Sequence, residues 1–138
     1  CIRAAAADAR ERHAAWEGQA DVVMADVPCS GLGIIRKKPD IRYKNPKELA
    51  QLPLVQRAIL ENASGYVRPG GTLVYSTCTV LPEENEDVTG DFLDKHPEFE
   101  PVRTAFPLPV GPCPGQVTLW PQRHGTDGFY ICRMRRKD

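Results

Sequence analysis

The sequence has no apolar run approaching the roughly 18 residues that span a bilayer. Its opening, CIRAAAADARERHAAW, is charged within the first ten residues and lacks an apolar h-region, so it does not read as a signal peptide. A cytoplasmic protein without a membrane segment is the expectation. Charge of one sign is also missing. The 18 basic residues balance 18 acidic ones, unlike a nucleic-acid coat protein, which is usually basic. That balance leaves room for an enzyme that grips nucleic acid locally. Two basic patches exist, Arg36-Lys37-Lys38 and Arg133, Arg135, Arg136, Lys137, with plain solvated surface as the alternative reading. No CxxC pair occurs, and the five cysteines (Cys1, Cys29, Cys78, Cys113, Cys132) are odd in number. This argues against a disulfide framework and a standard structural zinc site. No metal is expected, and the cysteines read as free thiols of a reducing compartment. There is no GxGxxG-like run, no internal repeat and no initiator Met, and the chain is expected to be a fragment of a longer protein.

What is present is enough for one domain: 138 residues, 41% hydrophobic and 26% charged. Residues 4–16, rich in Ala and charge, read as a helix. Asp21–Asp26 is a short β-branched run that fits a buried parallel strand. It ends in the turn Pro28-Cys29-Ser30-Gly31-Leu32-Gly33, and residues 34–45 read as a loop. Asn45 caps a helix with Pro46 at its first position. Leu49, Leu52, Val55, Ile59 and Leu60 continue it at helical spacing, and Pro53 kinks or splits it. Arg68-Pro69-Gly70-Gly71 is a stop and turn before a second strand, Thr72–Ser76. A helix is expected from about Pro82 to Lys95. Residues 101–116, with five prolines, form a long irregular loop. Val117–Trp120 and Phe129–Met134 then form a hairpin. Strand, helix, strand, helix and hairpin imply an α/β fold with a parallel sheet and an antiparallel strand at or near its edge.

Both of the first two strands lead directly into a cysteine, in Asp26-Val27-Pro28-Cys29 and Ser76-Thr77-Cys78. Open parallel sheets bind ligands at the carboxyl ends of their strands. If the strands are neighbours, Cys29, Cys78 and Asp26 share one rim. Two buried core thiols are an equal alternative, since free Cys is among the most buried residues. A thiol needs activation to act as a nucleophile. The helix expected after Cys78 supplies a favourable dipole, partly offset by Glu83 and Glu84. No His lies near either Cys in sequence, and His13, His96 and His124 read as surface residues.

Asp26-Val27-Pro28-Cys29-Ser30-Gly31-Leu32-Gly33 resembles the DAPCSG-type motif of RNA (cytosine-5)-methyltransferases. Ser76-Thr77-Cys78-Thr79 with Pro82-Glu83-Glu84-Asn85 resembles their second cysteine motif. Ile34 through Ile41 resembles their G-x-x-R-x-x-P-D segment, and Gly125–Tyr130 their DGFF strand. The resemblance covers about residues 5–136 and is to the bacterial Sun/RsmB type, which acts on small-subunit ribosomal RNA. It implies a Rossmann-like S-adenosylmethionine-dependent methyltransferase fold. Residues 1–138 would be the C-terminal part of one catalytic domain, without the cofactor-loop half and the RNA-binding domain, and inactive in isolation. It also implies that Cys78 attacks cytosine C6, Cys29 assists product release, and Asp26 contacts the base. The target base must leave its stack to reach such a pocket. Asp8, Asp26 and Pro28 would contact S-adenosyl-L-methionine. Arg36, Lys37 and Lys38 would meet phosphates of an RNA partner, and the protein is expected to be a monomer. Val27 stands where Ala is usual and Thr79 where Ser is usual, both small changes.

Three other readings stay open. A DNA (cytosine-5)-methyltransferase would use Cys29 as nucleophile, although the Thr77-Cys78 motif favours RNA. A binding fragment would keep the fold without activity. A redox-thiol protein would close Cys29 and Cys78 into a disulfide. Cys1, Cys113 and Cys132 lack motif context. Cys132 is expected in the core and Cys113 exposed, while Trp16 and Trp120 read as core.

Overall fold

A computed structural model describes residues 2–138, and Cys1 lies outside the described residues. The first β-branched run forms β1, Ala20–Asp26. Val23 packs against the core, whereas Val22 and Met24 on the other face are 63% and 70% exposed. The strand expected to be wholly buried is therefore covered on one face only. Two short 3-10 turns, Leu32–Ile34 and Pro39–Tyr43, carry the chain over the strand ends.

Two helices follow, α1 (Pro46–Leu49) and α2 (Leu52–Tyr66). Asn45 caps α1 by accepting the Lys47 N–H. Pro53 sits in the first turn of α2, where a missing N–H costs little. It thus splits the expected helix rather than kinking it. Next, β2 (Val67–Thr77) runs parallel to β1, with Asp26 opposite Ser76. The Arg68–Gly71 turn does not precede this strand but lies inside it as a bulge. Val67 pairs with Ala20 and Thr72 with Val22, and Gly70 takes a φ of 73° that favours glycine.

The helix expected from Pro82 is broken. A 3-10 turn spans Pro82–Glu84, Asn85 turns the chain (φ -115°, ψ -95°), and α3 covers Glu86–Lys95. Asn85, the N-cap of α3, bonds through its side chain to Thr77 and Thr79 on either side of Cys78, so the helix begins against the loop that carries the thiol. The proline-rich stretch carries more order than expected. A short β3 (Phe99–Pro101) opens it, and β4 (Thr104–Ala105) pairs with β5 (Pro112–Cys113). Cys113 is buried there, not exposed. The terminal hairpin is β6 (Gln116–Leu119) and β7 (Phe129–Arg136), with α4 (Pro121–His124) between them.

The main sheet runs β1-β2-β7-β3, with β6 also on β7. It begins parallel and continues antiparallel, since β7 runs against β2, β3 and β6. The antiparallel strand thus lies inside the sheet, with β3 and β6 on its far side. Leu60 and Val67 from α2 and its end, Leu73 and Tyr75 from β2, Val88 and Phe92 from α3, and Tyr130, Cys132 and Met134 from β7 form the core.

Residues 4–16 are not a helix. Only Ala14–Trp16 forms a 3-10 turn, and the remainder is irregular chain, exposed apart from the half-buried His13. An isolated helix of that length is marginal in water without an apolar stripe to bury. Instead the segment is tied to α2, where Asn62 donates to the Ala9 carbonyl and Tyr66 accepts the His13 N–H. Trp16, expected in the core, is 43% exposed.

Candidate active site

The parallel pairing of β1 and β2 brings their carboxyl ends together, as strand order alone suggested. Cys29 and Cys78 face each other with Sγ atoms 3.1 Å apart, and the Cys78 N–H donates to Cys29 Sγ at 3.3 Å. Both are free thiols. Burial first, then the bond to Cys78, pushes the Cys29 thiol up to about 12. It is therefore a proton-bearing S–H at neutral pH, and it can donate to the Cys78 sulfur.

Asp26 closes β1 and accepts the Ser76 hydroxyl at 3.0 Å. Its position is notable because it borders two cavities. One, of about 650 Å³, is lined by Asp8, Trp16, Met24, Asp26, Pro28 and Ile59 among others. The second, of about 440 Å³, contains Asp26, Pro28, Cys29, Lys38, Cys78 and Phe129. All three residues expected at a cofactor, Asp8, Asp26 and Pro28, thus meet in the larger cavity. The two cysteines meet in the smaller, and Asp26 and Pro28 belong to both. Asp8 does not sit free: hydrogen bonds from Arg10 lower its carboxyl to about 2.

The basic triplet is divided. Lys38 lines the cysteine cavity. Arg36 and Lys37 pair with Asp127 while staying largely exposed themselves. Lys37 first, then Arg36, holds the Asp127 carboxyl below its usual range. This pair of contacts fastens the basic loop to the chain ahead of β7.

Backbone bonds hold the three loops together. The Gly33 N–H donates to the Cys78 carbonyl at 3.0 Å, and the Gly128 N–H donates to the Gly33 carbonyl at 2.8 Å. The approach is so close that a Cβ on Gly33 would sit 2.0 Å from the Gly128 oxygen. Beneath them lies a buried polar cluster that sequence reasoning missed, built from Ser30, Gln56, Thr77, Thr79, Glu84 and Asn85. A signal existed: Gln56 is a polar residue on the buried side of α2. Lys44, which donates to the Ser30 carbonyl, and Phe129 at the cavity wall were also missed as site residues.

The family model for 16S rRNA methyltransferase RsmB/F matches residues 2–135. The chain belongs to this family. It is 43% identical to the probable ribosomal RNA small subunit methyltransferase B of Bacillus subtilis, an alignment that covers 99% of this chain and 32% of that protein. Among solved structures it resembles PH0851, with a TM-score of 0.77 and 36% identity, over 87% of this chain and 27% of that one. It also resembles NSun6 from Pyrococcus horikoshii, solved with SFG, an analogue of S-adenosylmethionine. There the TM-score is 0.65 and the identity 28%, over 83% and 29% of the two chains. The chain spans about a third of the length of the curated relative.

Proposed function

We propose that this chain is the C-terminal part of the catalytic domain of an S-adenosylmethionine-dependent RNA (cytosine-5)-methyltransferase. Its substrate is small-subunit ribosomal RNA, and it works as a cytoplasmic monomer. The observation that carries this reading is the pair of sulfurs 3.1 Å apart at the ends of two parallel strands, beside an aspartate that borders two cavities. The larger cavity falls within the range of small-molecule sites, roughly 300–1,000 Å³. Its wall offers apolar surface from Trp16, Met24 and Ile59, with the carboxylates of Asp8 and Asp26 at its margin. Those residues suit an adenosine-bearing sulfonium, and S-adenosylmethionine bound there supplies the methyl group. Further contacts to it come from residues outside 1–138, so the isolated chain is inactive.

The cytosine lies in the smaller cavity, out of its stack. Cys78 adds to C6 as a thiolate, which makes C5 nucleophilic toward the methyl. Asp26 hydrogen-bonds the N3/N4 edge and stabilises charge that develops on the ring. After methyl transfer a base takes the C5 proton, the C5–H electron pair re-forms the C5=C6 double bond, and the C6–S bond breaks with its electron pair returning to the Cys78 sulfur. Cys29 assists that departure: its S–H is protonated at working pH and close enough to bond to the leaving thiolate. Lys38, which lines the cavity, meets the RNA backbone, as do the exposed flanks of Arg36 and Lys37.

The test is an adduct assay on the intact protein, with all residues that flank this chain. Wild type, Cys29→Ala and Cys78→Ala are incubated with ribosomal RNA and S-adenosylmethionine, then denatured. The expected result is a stable protein–RNA adduct that accumulates in Cys29→Ala and vanishes in Cys78→Ala. The opposite pattern would make Cys29 the nucleophile, as in the DNA-type reaction. No adduct and no methyl transfer in any of the three would return the chain to a binding role.

A further inference from the structure

We infer that Glu84 and Asn85, neighbours at the corner before α3, act together as a calliper that sets the separation of the two active-site sulfurs. This rests on the cysteine roles proposed above. The two residues divide the work between the two loops. Glu84 Oε2 accepts the Ser30 N–H at 2.9 Å and the Gln56 amide at 2.8 Å. The same Gln56 nitrogen donates to the Pro28 carbonyl at 2.9 Å. Glu84 and Gln56 therefore grip the residues on either side of Cys29. Asn85 Oδ1 accepts the Thr77 hydroxyl at 2.6 Å, and its Nδ2 donates to the Thr79 carbonyl at 3.1 Å. It grips the residues on either side of Cys78.

The base of the calliper is fixed as well. Tyr75 of β2 donates its hydroxyl to the Glu84 carbonyl at 2.6 Å. Ser30 Oγ donates to Thr79 Oγ1 at 2.8 Å, joining the two loops directly. Glu84 is 2% exposed, and Ser30, Gln56, Thr77, Thr79 and Asn85 have no exposure at all. In such a place hydrogen bonds are strong and missing partners costly. Glu84 Oε1 and Gln56 Oε1 are nevertheless buried without a hydrogen-bond partner among the described residues. Neither residue touches the cavity that holds the cysteines, so both act through other groups, as positioning residues.

The division of labour predicts opposite failures. Loss of the Glu84 grip frees Cys29, which is needed for release. Loss of the Asn85 grip frees Cys78, which is needed for attack. A displacement of about 1 Å at a reacting group costs on the order of a hundredfold in rate.

The experiment uses the intact protein with ribosomal RNA and S-adenosylmethionine, and reads the ratio of trapped adduct to methylated product. That ratio is independent of how much enzyme is folded. Glu84→Ala, and the milder Gln56→Ala, are expected to raise it by on the order of a hundredfold, as Cys29→Ala does. Asn85→Ala is expected to abolish adduct and product together, as Cys78→Ala does. Glu84→Gln keeps an acceptor oxygen for Ser30 and should restore the wild-type ratio. If Glu84→Ala and Gln56→Ala lower adduct and product in proportion, leaving the ratio unchanged, while both cysteine controls behave as expected, the calliper is overturned and the cluster is only structural. If the cysteine controls themselves reverse, the assignment of roles falls, and the inference with it.

Discussion

Replacing Gly33 with Ala adds one methyl at the most crowded point of the site. Gly33 does not need a left-handed backbone, so the objection to Ala is purely one of space. The new Cβ would lie 2.0 Å from the Gly128 oxygen, 2.6 Å from its carbonyl carbon and 2.9 Å from the Cys78 oxygen. All three are backbone atoms, so no flexible side chain can move aside. The Gly128 carbonyl must withdraw by about 1 Å to reach even a tight contact, which costs roughly 1–3 kcal/mol of stability by overpacking. The same shift disturbs the bond from Gly33 to the Cys78 carbonyl. A displacement of that size at the proposed nucleophile, Cys78, is expected to cut kcat by about a hundredfold, or about 2.7 kcal/mol of barrier. Methyl transfer to ribosomal RNA and thermal unfolding of the intact protein would be measured side by side. Gly90→Ala is the control. It lies inside α3 with nothing within 4 Å of an added Cβ, and should stabilise by about 0.4–1 kcal/mol without changing activity. A Gly33→Ala enzyme with wild-type kcat would show that the three loops are not rigidly clamped, and the clamp argument would fail.

Lys38→Ala should raise KM for RNA and reduce the salt dependence of binding by about one unit of slope; an unchanged slope would place the phosphate contact elsewhere. Cys29, whose thiol burial and the bond to Cys78 push up, should stay protonated at pH 8. Iodoacetamide at that pH is expected to leave it unlabelled in the folded protein and to label it after unfolding; peptide mapping that finds it labelled in both states would refute the protonated-thiol role. His96 is held between Glu61 Oε2 at 2.8 Å and Glu98 Oε1 at 2.9 Å. Burial lowers its affinity for a proton, but bonds to Glu98 and Glu61 outweigh that, and the net shift is upward from 6.5. A raised folded-state value means that the contribution is complete below about 6.5 and is lost as pH climbs through the higher, folded value. Tm should therefore fall with rising pH across that window, and His96→Ala should remove that part of the dependence. A wild-type profile that keeps its shape in the variant would contradict the bridge.

Much of the fold was readable because its signals are local. The β-branched runs became β1 and β2, Asn45 and Pro46 marked a helix start, and Pro53 divided α1 from α2. What failed depended on partners far away in the chain. Residues 4–16 have helical composition, yet they follow the wall of a cavity because Tyr66 and Asn62 of α2 hold their backbone. Phe99–Pro101, of which only Pro101 falls in the expected loop, forms a strand through its pairing with the end of β7. The Arg68–Gly71 turn was recognised as a turn, but turn chemistry cannot say that the strand begins before it.

The site divides along the same line. Residues proposed to carry chemistry announce themselves, since Cys29, Cys78 and Asp26 each stand at a strand end, where a fold of this type presents its reactive groups. Residues proposed to position them do not, because a buried hydrogen bond requires a partner rather than a pattern. Gln56, Glu84 and Asn85 belong to two different segments and converge on two loops contributed by two different strands. The basic triplet is the intermediate case. Its charge is plain in the sequence, but Asp127, well away in the chain, takes up Arg36 and Lys37, and of the three only Lys38 lines the cysteine cavity. The same aspartate lies one residue from Gly128, whose N–H bonds to Gly33. Electrostatic pinning of the basic loop and backbone clamping of the cysteine loop therefore act through one short segment. A lesion in residues 125–128 should loosen both together, with RNA affinity and the chemical step failing in the same variant.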